Sequence, residues 1–284
     1  MPSSMTINTN MASLNAQMYL SRNTDSLQKA MQQLSSGLRI NSAADDPSGL
    51  AISDGMTSQI NGMTVAIQNA NDGISMVQTA DSAMNTITDT LQQMRDLSVQ
   101  AANNGAVGSA DRQKLQTEFA QLGSEVKRII SSTQFNGKAI LNGSLQHANF
   151  QIGANTATDN QISVNVSNLA GVNSLSALFG NVHSIGSMAN SNTVRSTINA
   201  IDSAIKNIDT FRSNLGAVQN RLTKTISNLQ SANDNQTAAR SRIIDTDFAS
   251  ATAALSRSQI IQQAGTAMLA QANQSTQGVL TLLK

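Results

Sequence analysis

Hydrophobic positions recur along most of this chain at spacings of three and four. Ile7, Met11, Leu14 and Met18 are followed by Leu27, Met31, Leu34 and Leu38. That spacing predicts a helix from about Asn8 to Ser36, closed by Gly37 at its C′ position. Asp45-Asp46-Pro47 reads as a new helix start, with Asp46 as N-cap and Pro47 as first residue. From Ile52 through Met56, Ile60, Ile67, Val77, Met84, Leu91 and Leu97 the period continues without a proline. A single helix to about Ala102 would be roughly 85 Å long, a length that implies a coiled coil or extended bundle. Gly55, Gly62 and Gly73 should weaken it, each by about 1 kcal/mol relative to Ala.

After a turn at residues 103–108, Leu115, Phe119, Leu122, Val126 and Ile129 mark another helix, with Ser109 or Asp111 as its expected cap. The period then changes. Asn136-Gly137 and Asn142-Gly143 are hairpin signals, and residues 138–141, 149–152 and 161–166 are strand candidates. Residues 167–192 read as loop. From Val194 to Leu229 a regular stripe of Ile, Leu and Val predicts a helix from about Thr193 to Ala239, able to pair antiparallel with the 47–102 helix. The final stretch, 258–283, lacks Asp, Glu, Lys and Arg, yet Gln262, Gln263, Gln271, Asn273, Gln274 and Gln277 make it too polar for a membrane span. Leu255, Ile261, Met268, Ala272, Val279 and Leu282 lie near one helical stripe.

The expected architecture is therefore mainly α. Long antiparallel helices form a coiled coil or bundle, and a small β-hairpin region is inserted between the N- and C-terminal halves. The nesting implies a terminal coiled-coil domain from residues 1–43 plus 241–284, and a helical-bundle domain from 44–240 whose β region covers about 134–180. Two end helices alone form a thin arm with little to bury against, so self-association is the expected source of their order.

Composition sharpens this picture. The chain has 284 residues, a net charge of +1, 12% charged residues and 2% aromatics. A near-neutral balance does not suggest a nucleic-acid binder. Absence of cysteine removes disulfides, thiolate metal sites and cysteine nucleophiles. The N-terminus has neither a basic segment nor a continuous apolar run, so no Sec-type signal is expected. Residues 1–44 carry Arg22, Lys29 and Arg39 against Asp25, and residues 240–284 are also net basic, so the two ends share a texture.

Candidate chemistry is sparse. His147 and His183 lie beside no carboxylate, and no phosphate-binding glycine loop or nucleophile elbow occurs. Asp45 and Asp46 read as capping groups. Neither catalysis, a cofactor nor a metal is expected. A soluble intracellular scaffold would carry charges flanking its seams, and the end helices are nearly bare of them.

Four segments resemble a known family: INTNMASLNAQ at 7–17, LSSGLRINSAADDPSGLAIS at 34–53, TQFNGKAIL at 133–141 and SQIIQQAGTAMLAQANQ at 258–274. In order and content they resemble bacterial flagellin. The resemblance implies a subunit of the extracellular flagellar filament, with a terminal D0 coiled coil and a D1 domain of long helices and a β-hairpin region. It implies export through the flagellar type III apparatus, a secretion chaperone on the C-terminal helix, and hook-associated and cap proteins as partners. With the apolar pattern, it puts the polymer interface on Ile7, Met11, Leu14, Met18, Leu255, Ile261, Met268, Val279 and Leu282. No membrane or nucleic-acid partner is implied. By the same resemblance Arg95, Leu97 and Glu118 match contact positions for Toll-like receptor 5. Gln93 stands where recognised flagellins carry Arg, and that lost cation predicts weaker recognition. Thr276 stands where many flagellins have Pro, so the last helix should run on to the C-terminus. The hook–filament junction protein shares the nested layout; the detail at 34–53 and 258–274 favours the filament subunit.

Overall fold

A computed structural model describes residues 9–144, 147–166, 168–171, 175 and 184–282, of which 170 and 276–282 by their backbone alone. Helix α1 (Met11–Ser36) is followed by α2 (Pro47–Ala101) and α3 (Ser109–Ser132). Four short strands come next: β1 (Gln134–Phe135), β2 (Lys138–Ala139), β3 (Ala148–Gln151) and β4 (Gln161–Val164). Helices α4 (Ser191–Ile244) and α5 (Phe248–Leu282) complete the chain. The protein is mainly helical, with two antiparallel strand pairs in the middle, as the hydrophobic period predicts.

The local signals act as their chemistry requires. Gly37 adopts φ 71° and donates its N–H to the Gln33 carbonyl, ending α1. Asp46 Oδ1 accepts the Gly49 N–H at 2.9 Å, so the α2 cap is as expected. Asn136 and Gly137 both have positive φ, 49° and 74°, the type I′ turn that joins β1 to β2.

Several boundaries differ from the sequence reading. Helix α1 begins at Met11, because Asn10 caps it by accepting the Ser13 N–H. Neither Ser109 nor Asp111 caps α3; Gly108 occupies the N-cap without a side-chain bond, and Asp111 sits in the first turn. Asn142-Gly143 makes a local turn, with Asn142 Oδ1 accepting the Ser144 N–H, and no strand pair flanks it. The second strand pair instead joins β3 to β4, with Phe150 opposite Ile162. Helix α4 continues past Ala239 to Ile244, since no breaker precedes Asp245.

The chain divides into two compact units: residues 1–58 with 235–284, and residues 59–234. In the second unit α2 and α4 run antiparallel. Arg95 pairs with Asp202 at 2.7 Å and Arg212 with Asp81 at 2.8 Å, and Asn233 Nδ2 donates to Thr64 Oγ1. Met84, Ile87, Leu91 and Met94 from α2 meet Ile201, Ile208 and Leu215 from α4 and Phe119 and Val126 from α3 in one core. Polar side chains of α3 pin the returning segment: Gln116 Oε1 accepts the Ile185 N–H at 2.7 Å, and Arg112 donates to the Ala189 carbonyl.

Two glycines of α2 give a test of this packing. A Cβ on Gly62 would stand 2.7 Å from Ala154 Cβ, in the loop between β3 and β4, whereas Gly55 has nothing within 4 Å. Gly55→Ala is expected to stabilise by up to about 1 kcal/mol through helix propensity. Gly62→Ala should lower stability by about 1–3 kcal/mol despite the same propensity gain. Thermal melts of both variants check the opposite signs.

Candidate assembly surface

Helices α1 and α5 form an antiparallel pair within the first unit. Asn23 Nδ2 donates to the Ser258 carbonyl at 2.7 Å, and Asn10 Nδ2 donates to the Ala272 carbonyl at 2.9 Å. As residue number rises in one helix it falls in the other. On α1 the side chains withdrawn from solvent include Ser13, Ala16, Leu20, Asn23, Leu27, Ala30 and Leu34. On α5 they include Ala251, Leu255, Ser258, Gln262, Gly265, Leu269 and Ala272. Both sets alternate threes and fours, so each is a coiled-coil seam built largely from small and polar residues. A Cβ added at Gly265 would lie 3.2 Å from Leu20 Cδ1, which shows how close the helices come.

The inner seam takes five leucines and leaves other large apolar side chains on the remaining faces. Met11, Leu14 and Met18 are 62%, 53% and 45% exposed, and Ile261 and Met268 are 46% and 64% exposed. Tyr19, Ile260 and Phe248 are also exposed. Of thirteen exposed large apolar side chains among the described residues, ten belong to the first unit, although it is the smaller one. Scattered apolar residues on a surface need no account, but here they are concentrated in one unit. Leu255 is half-buried in the inner seam, so the apolar residues of α5 divide between two faces and do not share one stripe. Ile7 lies outside the described residues, and Val279 and Leu282 are described only as part of the α5 backbone. That backbone is helical through Thr276 to Leu282, the continuation expected without a proline.

The spacing of large apolar residues on α1 marks positions on both faces: Met11, Leu14 and Met18 outward, Leu27 and Leu34 inward. Of the inner seam, the apolar period picks out Leu27, Leu34 and Leu255, but not Ser13, Ala16, Asn23 and Ala30, which have little hydrophobicity to register. Their own spacing of three and four, over small residues, was the available signal.

The breaks at the ends of α1 and α4 lie side by side. The Arg39 N–H donates to the Ile244 carbonyl at 2.6 Å, the Thr246 N–H donates to the Gly37 carbonyl at 2.9 Å, and Leu38 bridges Asp245. The Arg39 guanidinium also donates to the Ile243 carbonyl. Lys29 Nζ reaches Asp45 at 2.8 Å. That hydrogen bond, followed by one from the Asn41 N–H, lowers the Asp45 carboxyl from 3.8 to about 2. A pKa lowered in the folded state adds stability above the ordinary carboxylate range, and the gain is lost as pH falls through the folded value. The first unit should therefore lose stability between pH 3.8 and about 2. Asp45→Asn should flatten that part of the profile, as thermal melts across the range would show.

In the second unit Gln93 and Glu118 are exposed and Leu97 is half-buried against the core. The Arg95 guanidinium is engaged by Asp202, which raises its pKa. Arg95 thus presents a charge already paired within its own subunit. His147 is exposed, and His183 lies outside the described residues. Among the described residues no group of three or more His, Cys, Asp or Glu is placed to hold a metal, and no helix is long and apolar enough to cross a membrane.

Residues 7–146 match the family described as the bacterial flagellin N-terminal helical region, and residues 198–283 match the bacterial flagellin C-terminal helical region. The chain is 41% identical over 280 residues to a flagellin of Halalkalibacterium halodurans, covering 99% of this chain and 100% of the relative. It is 43% identical over 290 residues to the flagellar filament 33 kDa core protein of Treponema phagedenis, again covering 99% and 100%. Among solved structures, a protein of Vibrio parahaemolyticus assigned as flagellar hook-associated aligns with a TM-score of 0.57 at 12% identity, over 71% of this chain and 100% of that one. At that identity the likeness concerns the fold alone.

Proposed function

This chain belongs to the bacterial flagellin family, and from that premise we infer that it is the structural subunit of an extracellular flagellar filament. The observation that carries the mechanism is the outward apolar surface of the α1–α5 pair. Met11, Leu14, Met18, Ile261 and Met268 would be covered by neighbouring subunits, with Ile7, Val279 and Leu282 extending those runs and Leu255 holding the pair together. Burying the exposed half of each such side chain contributes about 1–1.5 kcal/mol, and every subunit offers several. Repetition of one heterologous contact then generates an open helical polymer. Residues 1–43 with 241–284 act as the D0-like terminal domain, and 44–240 as the D1-like domain.

The family is one of structural proteins, and a role in motility follows from the filament. We extend the reading to export without a cleaved signal peptide, to a secretion chaperone that covers the C-terminal helix before assembly, and to contacts with hook-associated and cap proteins. Gln93, Arg95, Leu97 and Glu118 form the candidate surface for Toll-like receptor 5. Gln93 in place of a cation, and an Arg95 paired with Asp202, both favour weak recognition.

The discriminating experiment is negative-stain electron microscopy of the purified chain under salting-out conditions. Long uniform filaments are the expected result. Discrete short oligomers would instead favour the hook–filament junction role, and a stable monomer would overturn the polymer reading.

A further inference from the structure

The chain contains twelve methionines and no cysteine, so every sulfur is a thioether. Their environments differ sharply. Met76, Met84 and Met94 are at most 2% exposed in the core of the second unit. Met11, Met18 and Met268 stand 62%, 45% and 64% exposed on the outward faces of α1 and α5. Met31 and Met188 are exposed elsewhere, at 46% and 99%. Oxidation of a thioether follows its accessibility, and it turns a flexible apolar side chain into a polar one.

We propose that Met11, Met18 and Met268 are an oxidative modification site that controls assembly. Two-electron oxidants of the peroxide or hypohalous acid class convert them to sulfoxides in the free subunit and block polymerisation, while the finished filament shields them. This rests on the reading of the outward faces as subunit contacts.

With hydrogen peroxide the step balances. The sulfur lone pair attacks one peroxide oxygen, an S–O bond forms and the O–O bond breaks. The departing hydroxide takes the proton of the transferred oxygen and leaves as water. Sulfur is oxidised by two electrons and the peroxide is reduced. The sulfoxide oxygen is a strong acceptor with no donor in an apolar contact, so burying it is unfavourable. Each oxidised position that must be buried should raise the critical concentration for assembly by about tenfold or more. In the free subunit the same oxygen faces water and the inner seam is untouched, so the subunit keeps its helicity.

The test treats soluble full-length chain with hydrogen peroxide, maps sulfoxides by mass spectrometry, and measures the critical concentration. Oxidised wild-type chain should fail to assemble at concentrations that suffice for untreated chain, and methionine sulfoxide reductases should restore assembly. The variant Met11→Leu/Met18→Leu/Met268→Leu, close to volume-conserving, is compared with its own untreated critical concentration, whatever that is, and peroxide should change it less than about twofold. Preassembled filaments should take up oxygen at Met188 and stay protected at the three positions. Normal assembly of oxidised wild-type chain would overturn the proposal. Equal loss of assembly in the triple variant would do the same, because the damage would then lie at other methionines. Failure of the untreated chain to polymerise would overturn the filament reading itself, and the proposal with it.

Discussion

Deletion of residues 258–284 is expected to abolish filaments completely while residues 59–234 stay folded. The deleted segment carries Ile260, Ile261 and Met268 of the outward surface and the inner seam from Ser258 to Ala272. Helix α1 then has little left to bury against. Asn23 and Asn10 lose their carbonyl acceptors, and only residues 248–257 of α5 remain opposite. An isolated pair of marginal helices does not persist in water without tertiary packing. Circular dichroism should therefore show a loss of helix larger than the deleted residues alone account for. The second unit keeps its own core, from Met76 to Leu215, and should retain a cooperative thermal transition. Electron microscopy reads the polymer, and filaments from the truncated chain would refute assembly through the terminal helices.

Adjacent residues on α1 should separate folding from assembly. Leu14 is 53% exposed and Ser13 is 9% exposed in the inner seam. Leu14→Glu places a charge on a face that is solvated in the free subunit, so its effect on subunit stability should stay within about 0.5 kcal/mol. In the polymer the same carboxylate would be desolvated without a partner, at a cost of several kcal/mol. The critical concentration should rise by about 100-fold or more. Ser13→Glu should act differently, forcing a charge between α1 and α5 and lowering helicity before any polymer forms. Sedimentation assays and circular dichroism on the two variants check this division. Normal assembly by Leu14→Glu would remove that face from the interface.

The apolar stripe of Met11, Leu14 and Met18 is legible from its spacing of three and four, and the structure adds that this stripe faces away from α5. Helix α5 was harder to read. Its apolar residues divide between Leu255 in the inner seam and Ile261 and Met268 outside it, and periodicity cannot separate two faces that share one period. The Gly62 contact with Ala154 was likewise invisible, since sequence alone assigns a helical glycine only its propensity cost.

The sequence by itself determined the elements that depend on near neighbours. Gly37 ends α1 because glycine tolerates the left-handed conformation, Asp46 and Pro47 open α2 because a carboxylate meets free N–H groups, and Asn136-Gly137 turns because both residues accept positive φ. Only the tertiary structure decided which face of each end helix turns inward. The small residues Ser13, Ala16 and Gly265 permit close approach, and the Asn23 amide finds the Ser258 carbonyl across the seam. Close approach and a buried hydrogen bond are properties of two helices together, so no reading of either helix alone contains them. The choice they make leaves Met11, Leu14, Met18, Ile261 and Met268 facing outward.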